Sequence, residues 1–230
     1  MTRSYRFSAS LLARPYKTTS SRRPALTHPT RTMASSPKPP YLVRTAELPA
    51  SALDLRRHPI DSANHRYALS LGDTTGLTKT GVHFCRLPPG ATSTTLHHHT
   101  HDDEWYYILH AGEGAVLVLY EPPAESAAGA GTAREAPREE EIKSGDFIGF
   151  KAGAGYARAH ALRAGSKEVV YLVGGSREPM DMSVYPLMER RLVVDRSGGG
   201  VQTWAVDDKN IETVHMKPPA VSSGEKGGKA

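Results

Sequence analysis

The chain has 230 residues, 38% of them hydrophobic, and carries 29 Lys and Arg against 24 Asp and Glu, a formal net charge of +5. That length covers one ordinary domain with tails, and the low apolar share implies that part of the chain lies outside any core. Nine of the basic residues and no acid fall within residues 1–46, so the remainder carries 20 against 24, a net of −4, which excludes an electrostatic case for a nucleic-acid partner.

Residues 1–40 are rich in Arg, Ser and Thr. Such a leader reads either as a mitochondrial transit peptide or as a disordered basic tail. Met33 offers a second start, which would leave a cytoplasmic form. No apolar run approaches the roughly 20 residues that span a bilayer, so no membrane partner is expected. Leu11-Leu12-Ala13 is too short for a secretory signal. Residues 41–65 are expected to form an extended arm with a helical turn near Ala50–Arg56.

Arg66–Leu71 reads as a strand, Gly72–Gly76 as a turn, and Gly81–Leu87 as a strand ended by Pro88-Pro89-Gly90. The single cysteine, Cys85, excludes an internal disulfide and reads as a buried structural thiol. Trp105–Leu109 and Ala115–Tyr120 are β-prone runs around a glycine-containing loop, a hairpin signal. Residues 121–143 are dense in Ala, Gly, Pro and Glu and read as a flexible insertion, with Glu139-Glu140-Glu141 as a solvated charge run. Phe147–Phe150, Ala157–Leu162 and Glu168–Val173 are further short strands. Arg191–Val194 and Val201–Val206 flank Ser197-Gly198-Gly199-Gly200, a second hairpin signal, in a C-terminal extension over 187–216. Residues 217–230 read as a disordered tail. Many short strands with Gly and Pro turns imply an all-β domain over 66–186, a small barrel or double-sheet jelly roll.

One stretch carries chemistry. His97 and His99 are two apart and share a face if the segment is a strand. Thr100-His101-Asp102-Asp103 is short and polar, as a tight turn should be, and would bring Glu104 back beside both imidazoles. Two neutral nitrogens and a carboxylate suit a divalent metal, and His160 on a later strand is placed to be the fourth ligand. A solvated, adventitious metal trap is the competing reading of His97-His98-His99. Alternation points His98 away from the site, and His101 lies in the turn, a candidate proton carrier rather than a ligand. His58, His65, His83 and His215 read as structural or surface histidines. Tyr106 and Ile108 share one face of their strand, Trp105 and Tyr107 the other. Tyr106 is a candidate catalytic residue. Lys151, Tyr156 and Arg158 could meet an anionic substrate, and Arg177 with Asp181 could form a structural pair closing the barrel.

The run from Gly90 through His97-x-His99 and Glu104 to Gly112 resembles the first cupin motif. Gly145 to Gly153, followed by His160, resembles the second, with Lys151 where the family usually has proline. The resemblance covers Leu69 to Tyr185 and implies a cupin-type double-stranded β-helix holding Fe, Mn, Ni or Zn. Metal-dependent cupins include dioxygenases, decarboxylases and sugar isomerases. The expected function is therefore a dioxygenase-type reaction on a small molecule. The alternatives are isomerase or decarboxylase chemistry at the same site, and binding of a sugar or organic acid without turnover. A structural metal in an oligomerising barrel is weaker still. A homodimer follows from the resemblance and from the need to cover sheet edges.

Overall fold

The computed structural model describes residues 38–122, 136–212 and 214. The leader up to residue 37 (with Met33), residues 123–135 of the insertion, His215 and the 217–230 tail lie outside the described residues.

Thirteen strands follow one another among the described residues: β1 (Asp54–Arg57), β2 (His65–Ser70), β3 (Thr80–Leu87), β4 (His98–His99), β5 (Glu104–Ala111), β6 (Val116–Tyr120), β7 (Arg138–Glu141), β8 (Phe147–Phe150), β9 (Ala159–Arg163), β10 (Val169–Ser176), β11 (Met180–Tyr185), β12 (Arg190–Asp195) and β13 (Gln202–Asp207). They form two facing layers. One is a six-stranded sheet in the order β1-β2-β3-β10-β5-β8. The other joins β13-β12-β11-β4 to β9-β6-β7, two ladders linked by the bridges His97↔His160 and Thr92↔Arg163. Every ladder is antiparallel, so the fold is an all-β jelly-roll barrel.

The alternation of β5 shows how sequence sets the layers. Tyr106 and Ile108 are buried while Tyr107 and Leu109 are exposed, so the strand presents one apolar face to the interior. Beneath it pack Leu87, Leu162, Val169 and Tyr171, all nearly inaccessible, with Cys85, a free and buried thiol, among them. β10 lies between β3 and β5, and Gly174 sits opposite Trp105. A Cβ on Gly174 would come within 2.4 Å of the indole, so only glycine lets the two strands close there.

Two local expectations are corrected and two are refined. The runs around Gly112–Gly114 are strands but do not form a hairpin: β5 pairs with β10 and β8, whereas β6 pairs with β7 and β9. The chain crosses from one layer to the other at that corner, with Gly114 at φ +76°. The Gly72–Gly76 segment is a one-turn helix, α1 (Leu71–Thr75), capped by the Ser70 hydroxyl and ended by Gly76 in the left-handed region. The arm has 3-10 turns at Thr45–Glu47 and Ala50–Ala52, then enters the larger sheet as edge strand β1. Glu139-Glu140-Glu141 is exposed but lies on β7, an edge strand whose charges discourage further pairing. The Ser197–Gly200 hairpin forms between β12 and β13.

Candidate metal centre

Three elements deliver the site. The Thr95–His99 segment runs between β9 and β11, β9 supplies His160, and β5 starts with Glu104. The turn between β4 and β5 returns the chain, so that Glu104 Oε2 lies 3.8 Å from His99 Nε2. His97 Nε2 is 3.2 Å from His99 Nε2, and His160 Nε2 is 2.6 Å from Glu104 Oε2. His97, His99 and Glu104 offer donor atoms that all lie within 4.8 Å of one another. His160 joins them through Glu104.

The far side of each ring explains the geometry. His97 Nδ1 donates to the Thr95 carbonyl at 2.8 Å, and His160 Nδ1 to the Arg158 carbonyl at 2.8 Å. His99 Nδ1 lies 2.5 Å from Asp181 Oδ2. With Nδ1 committed as donor, each neutral ring turns an Nε2 lone pair inward. The two lone pairs of His97 and His99 then face each other, an arrangement relieved by a shared cation or by a proton on the His99 ring. These are donors of the kind that divalent metal sites use: His97, His99 and Glu104 lie close enough together to share an ion, and His160 stands beside them against Glu104.

Electrostatics follow the same pattern. Burial, then the neighbouring His99, pushes the His97 imidazole well below its ordinary value. For His99 burial pulls downward, but the bond to Asp181 and the charge of Glu104 win and raise it. The Glu104 carboxyl is held far below the carboxylate range; burial opposes this, and the imidazoles of His160 and His99 overcome it.

Asp181 is the functional residue that sequence reasoning misplaced. It pairs not with Arg177 but with His99, and its other oxygen accepts from the backbone N–H groups of His101 (3.0 Å) and Asp102 (3.2 Å). One buried carboxylate therefore fixes both a ligand ring and the turn that returns Glu104. Arg177 instead reaches Asp73 at 2.7 Å. The spacing of two charged residues before a strand could not show this, because Asp181 meets His99 across the β11–β4 ladder.

A cavity of about 230 Å³ opens onto the centre, lined among others by His58, Arg66, Tyr106, Tyr171 and Tyr185. Tyr106 is buried and meets His160 edge-on, with centroids 5.7 Å apart. His58, read from sequence as a bystander, lies in this wall. Its Nδ1 accepts from backbone N–H groups, and its Nε2 is 3.2 Å from the Tyr185 hydroxyl. Burial and Arg66 lower its pKa to about 4. His98 points away from the donor group, as alternation suggested, but is itself buried, its pKa lowered to about 4 by burial and His99. His101 is exposed, bonds the Thr100 hydroxyl and lines neither cavity that touches the ligands.

Lys151, Tyr156 and Arg158 do not reach this cavity. They line a separate one of about 440 Å³ on the far side of Phe150, whose ring stacks on His160 at 3.6 Å. Lys151 caps the Tyr156 ring at 4.1 Å and Arg158 binds Glu121 at 2.9 Å, so both cations already have partners.

No family model matches the chain, and neither does any curated protein. Solved structures do. A protein from Acidithiobacillus ferrooxidans, provisionally named a sugar phosphate isomerase, is 24% identical over 76% of this chain and 97% of its own, with a TM-score of 0.59. A sugar phosphate isomerase of the cupin superfamily from Silicibacter pomeroyi is 26% identical over 73% of this chain and 96% of its own, with a TM-score of 0.52. Among the described residues no helix is long and apolar enough to cross a membrane.

Proposed function

For a chain with the cupin fold and this constellation, we propose a metal-dependent enzyme that isomerises a small hydroxylated substrate of the sugar class. The observation that carries the reading is the face-to-face pair of Nε2 atoms on His97 and His99, each locked by an outward Nδ1 contact. His97, His99, Glu104 and His160 would hold Fe, Mn, Ni or Zn, which supplies Lewis-acid polarisation of a substrate oxygen when bound. The chain's own groups orient the substrate. Tyr106 and Tyr185 keep their protons, since burial raises both phenols, so each hydroxyl is a donor rather than a base. The cavity volume suits a small molecule rather than a polymer.

The same ligands would serve a dioxygenase. Likeness to the Silicibacter protein moves the reading toward isomerisation. The test is to offer the purified, metal-loaded full chain a panel of aldoses and ketoses, free and phosphorylated, in deuterated water with an oxygen electrode in place. Interconversion with deuterium uptake, no O₂ consumption and loss in His97→Ala is expected. O₂ consumption would replace isomerase by oxygenase, and saturable binding without turnover would leave a binding protein.

A further inference from the structure

Arg66 lies on β2 and reaches into the barrel between the two layers. It borders the cavity at the metal centre and a second one of about 220 Å³, and both cavities also touch His99, Glu104 and Val173. Its Nη1 donates to the Ser93 carbonyl at 2.8 Å, while its Nε is buried with no partner among the described residues. The other cations around these cavities have partners and, among the described residues, no buried unpartnered nitrogen: Arg56 meets Asp54 at 2.9 Å, Arg57 the Ser62 carbonyl at 3.0 Å, Arg177 Asp73 at 2.7 Å and Arg196 Asp102 at 3.0 Å. Glu104, the carboxylate on the shared wall, attracts Arg66 without a direct hydrogen bond, its Oε2 lying against His160, and the Cys85 thiol meets the guanidinium but leaves Nε unpartnered. Arg56 also stands directly opposite Arg66 in the β1–β2 ladder, a like-charge pairing that costs stability and that packing alone does not explain.

A buried guanidinium edge without an acceptor is expensive, and a planar five-donor fork is matched by a carboxylate or phosphate. We infer that Arg66 is the specificity-determining anchor for an oxyanion on the substrate, a phosphate ester or a carboxylate, whose hydroxylated end reaches the four metal ligands. This rests on the functional reading above, which it sharpens from a small hydroxylated molecule to an anionic one.

Calorimetric titration of the metal-loaded full chain with inorganic phosphate and, separately, with glycolate tests it, alongside Arg66→Gln and Arg66→Lys. Saturable binding of at least one probe is expected, weakened about tenfold or more in Arg66→Gln and less in Arg66→Lys, because the bidentate charge-assisted pair is lost. Tighter phosphate indicates a phosphate ester, and tighter glycolate a hydroxy acid. No saturable binding to the parent, or equal affinity in Arg66→Gln, overturns the anchor. Should circular dichroism show Arg66→Gln unfolded, unchanged affinity in Arg66→Lys overturns it instead. Metal content, read on the same samples by elemental mass spectrometry, separates the two readings. Oxyanion binding that fails while metal is retained sinks only the anchor; absent metal with Arg66-dependent binding sinks only the metal enzyme.

Discussion

Between the facing layers, the end lined by Leu87, Ile108, Leu162 and Val169 and the end lined by His97, His99, Glu104 and Arg66 are held by different means. The same strands build both. Along β10, Val169 stands opposite Leu87 and Ala111, whereas Gly175 stands opposite Glu104. The apolar end is complete in itself, because removing these side chains from water is favourable and close packing adds dispersion. The polar end gains nothing from burial until each nitrogen and oxygen finds a partner. The outer contacts of Thr95, Arg158 and Asp181 supply that on one side, and an ion and an oxyanion would supply it on the other. Apolar packing thus dominates one part of the interior and paired polar groups the other, with Tyr106, Tyr171 and Val173 shared by both.

Substitutions test that contrast. Ile108→Ala should destabilise the fold by about 2–5 kcal/mol, as cavities in close-packed cores do, with metal content per folded molecule unchanged. Urea unfolding beside elemental mass spectrometry checks this, and metal loss in the still-folded variant would show that the two ends are coupled. Asp181→Asn should act on both. Removing the charge that orients the His99 ring should weaken metal affinity by roughly 10–100-fold, and should also lower the unfolding midpoint in metal-free buffer, because the buried carboxylate holds the His101–Asp102 turn. Competition with a chelator reads the affinity, and parent-like affinity would mean that the Asp181 contact is merely structural.

The smallest effect is expected at the rim. Bonds from Ser70 and Arg177 hold the Asp73 carboxyl below its ordinary value. Because the folded value is the depressed one, the contribution of Asp73 is fully present above the unfolded value and is lost as pH falls through the folded one. The melting-temperature gap between parent and Asp73→Asn should therefore be small at neutral pH and close as the pH falls through the folded value of the Asp73 carboxyl. A gap that widens on acidification would reverse the sign of the argument. Asp73 is well exposed, so solvent screening keeps even the neutral-pH gap modest.

Much of this was legible before folding. Alternation in Trp105–Leu109 set which face of β5 is buried, and the His97, His99, Glu104 spacing around a polar turn pointed to convergent donors. These are local properties: strand period and turn chemistry act over a handful of residues and leave their mark in the order of side chains. Contacts between distant strands leave no such mark. The hairpin expected at Gly112–Gly114 is a crossover between layers, because strand pairing is chosen by which faces must be buried together, not by loop length alone. The Asp181–His99 bond spans 82 positions and the Tyr185–His58 contact 127. Arg66 resembles any basic residue on a short strand until β1, β2 and β3 place it across the cavity. The order of residues alone set the β class, the buried face of β5 and the kinds of donor at the centre. Contacts between distant strands alone settled which carboxylate steadies the His99 ring, which cations already have partners, and which guanidinium keeps an unpartnered nitrogen beside the cavity.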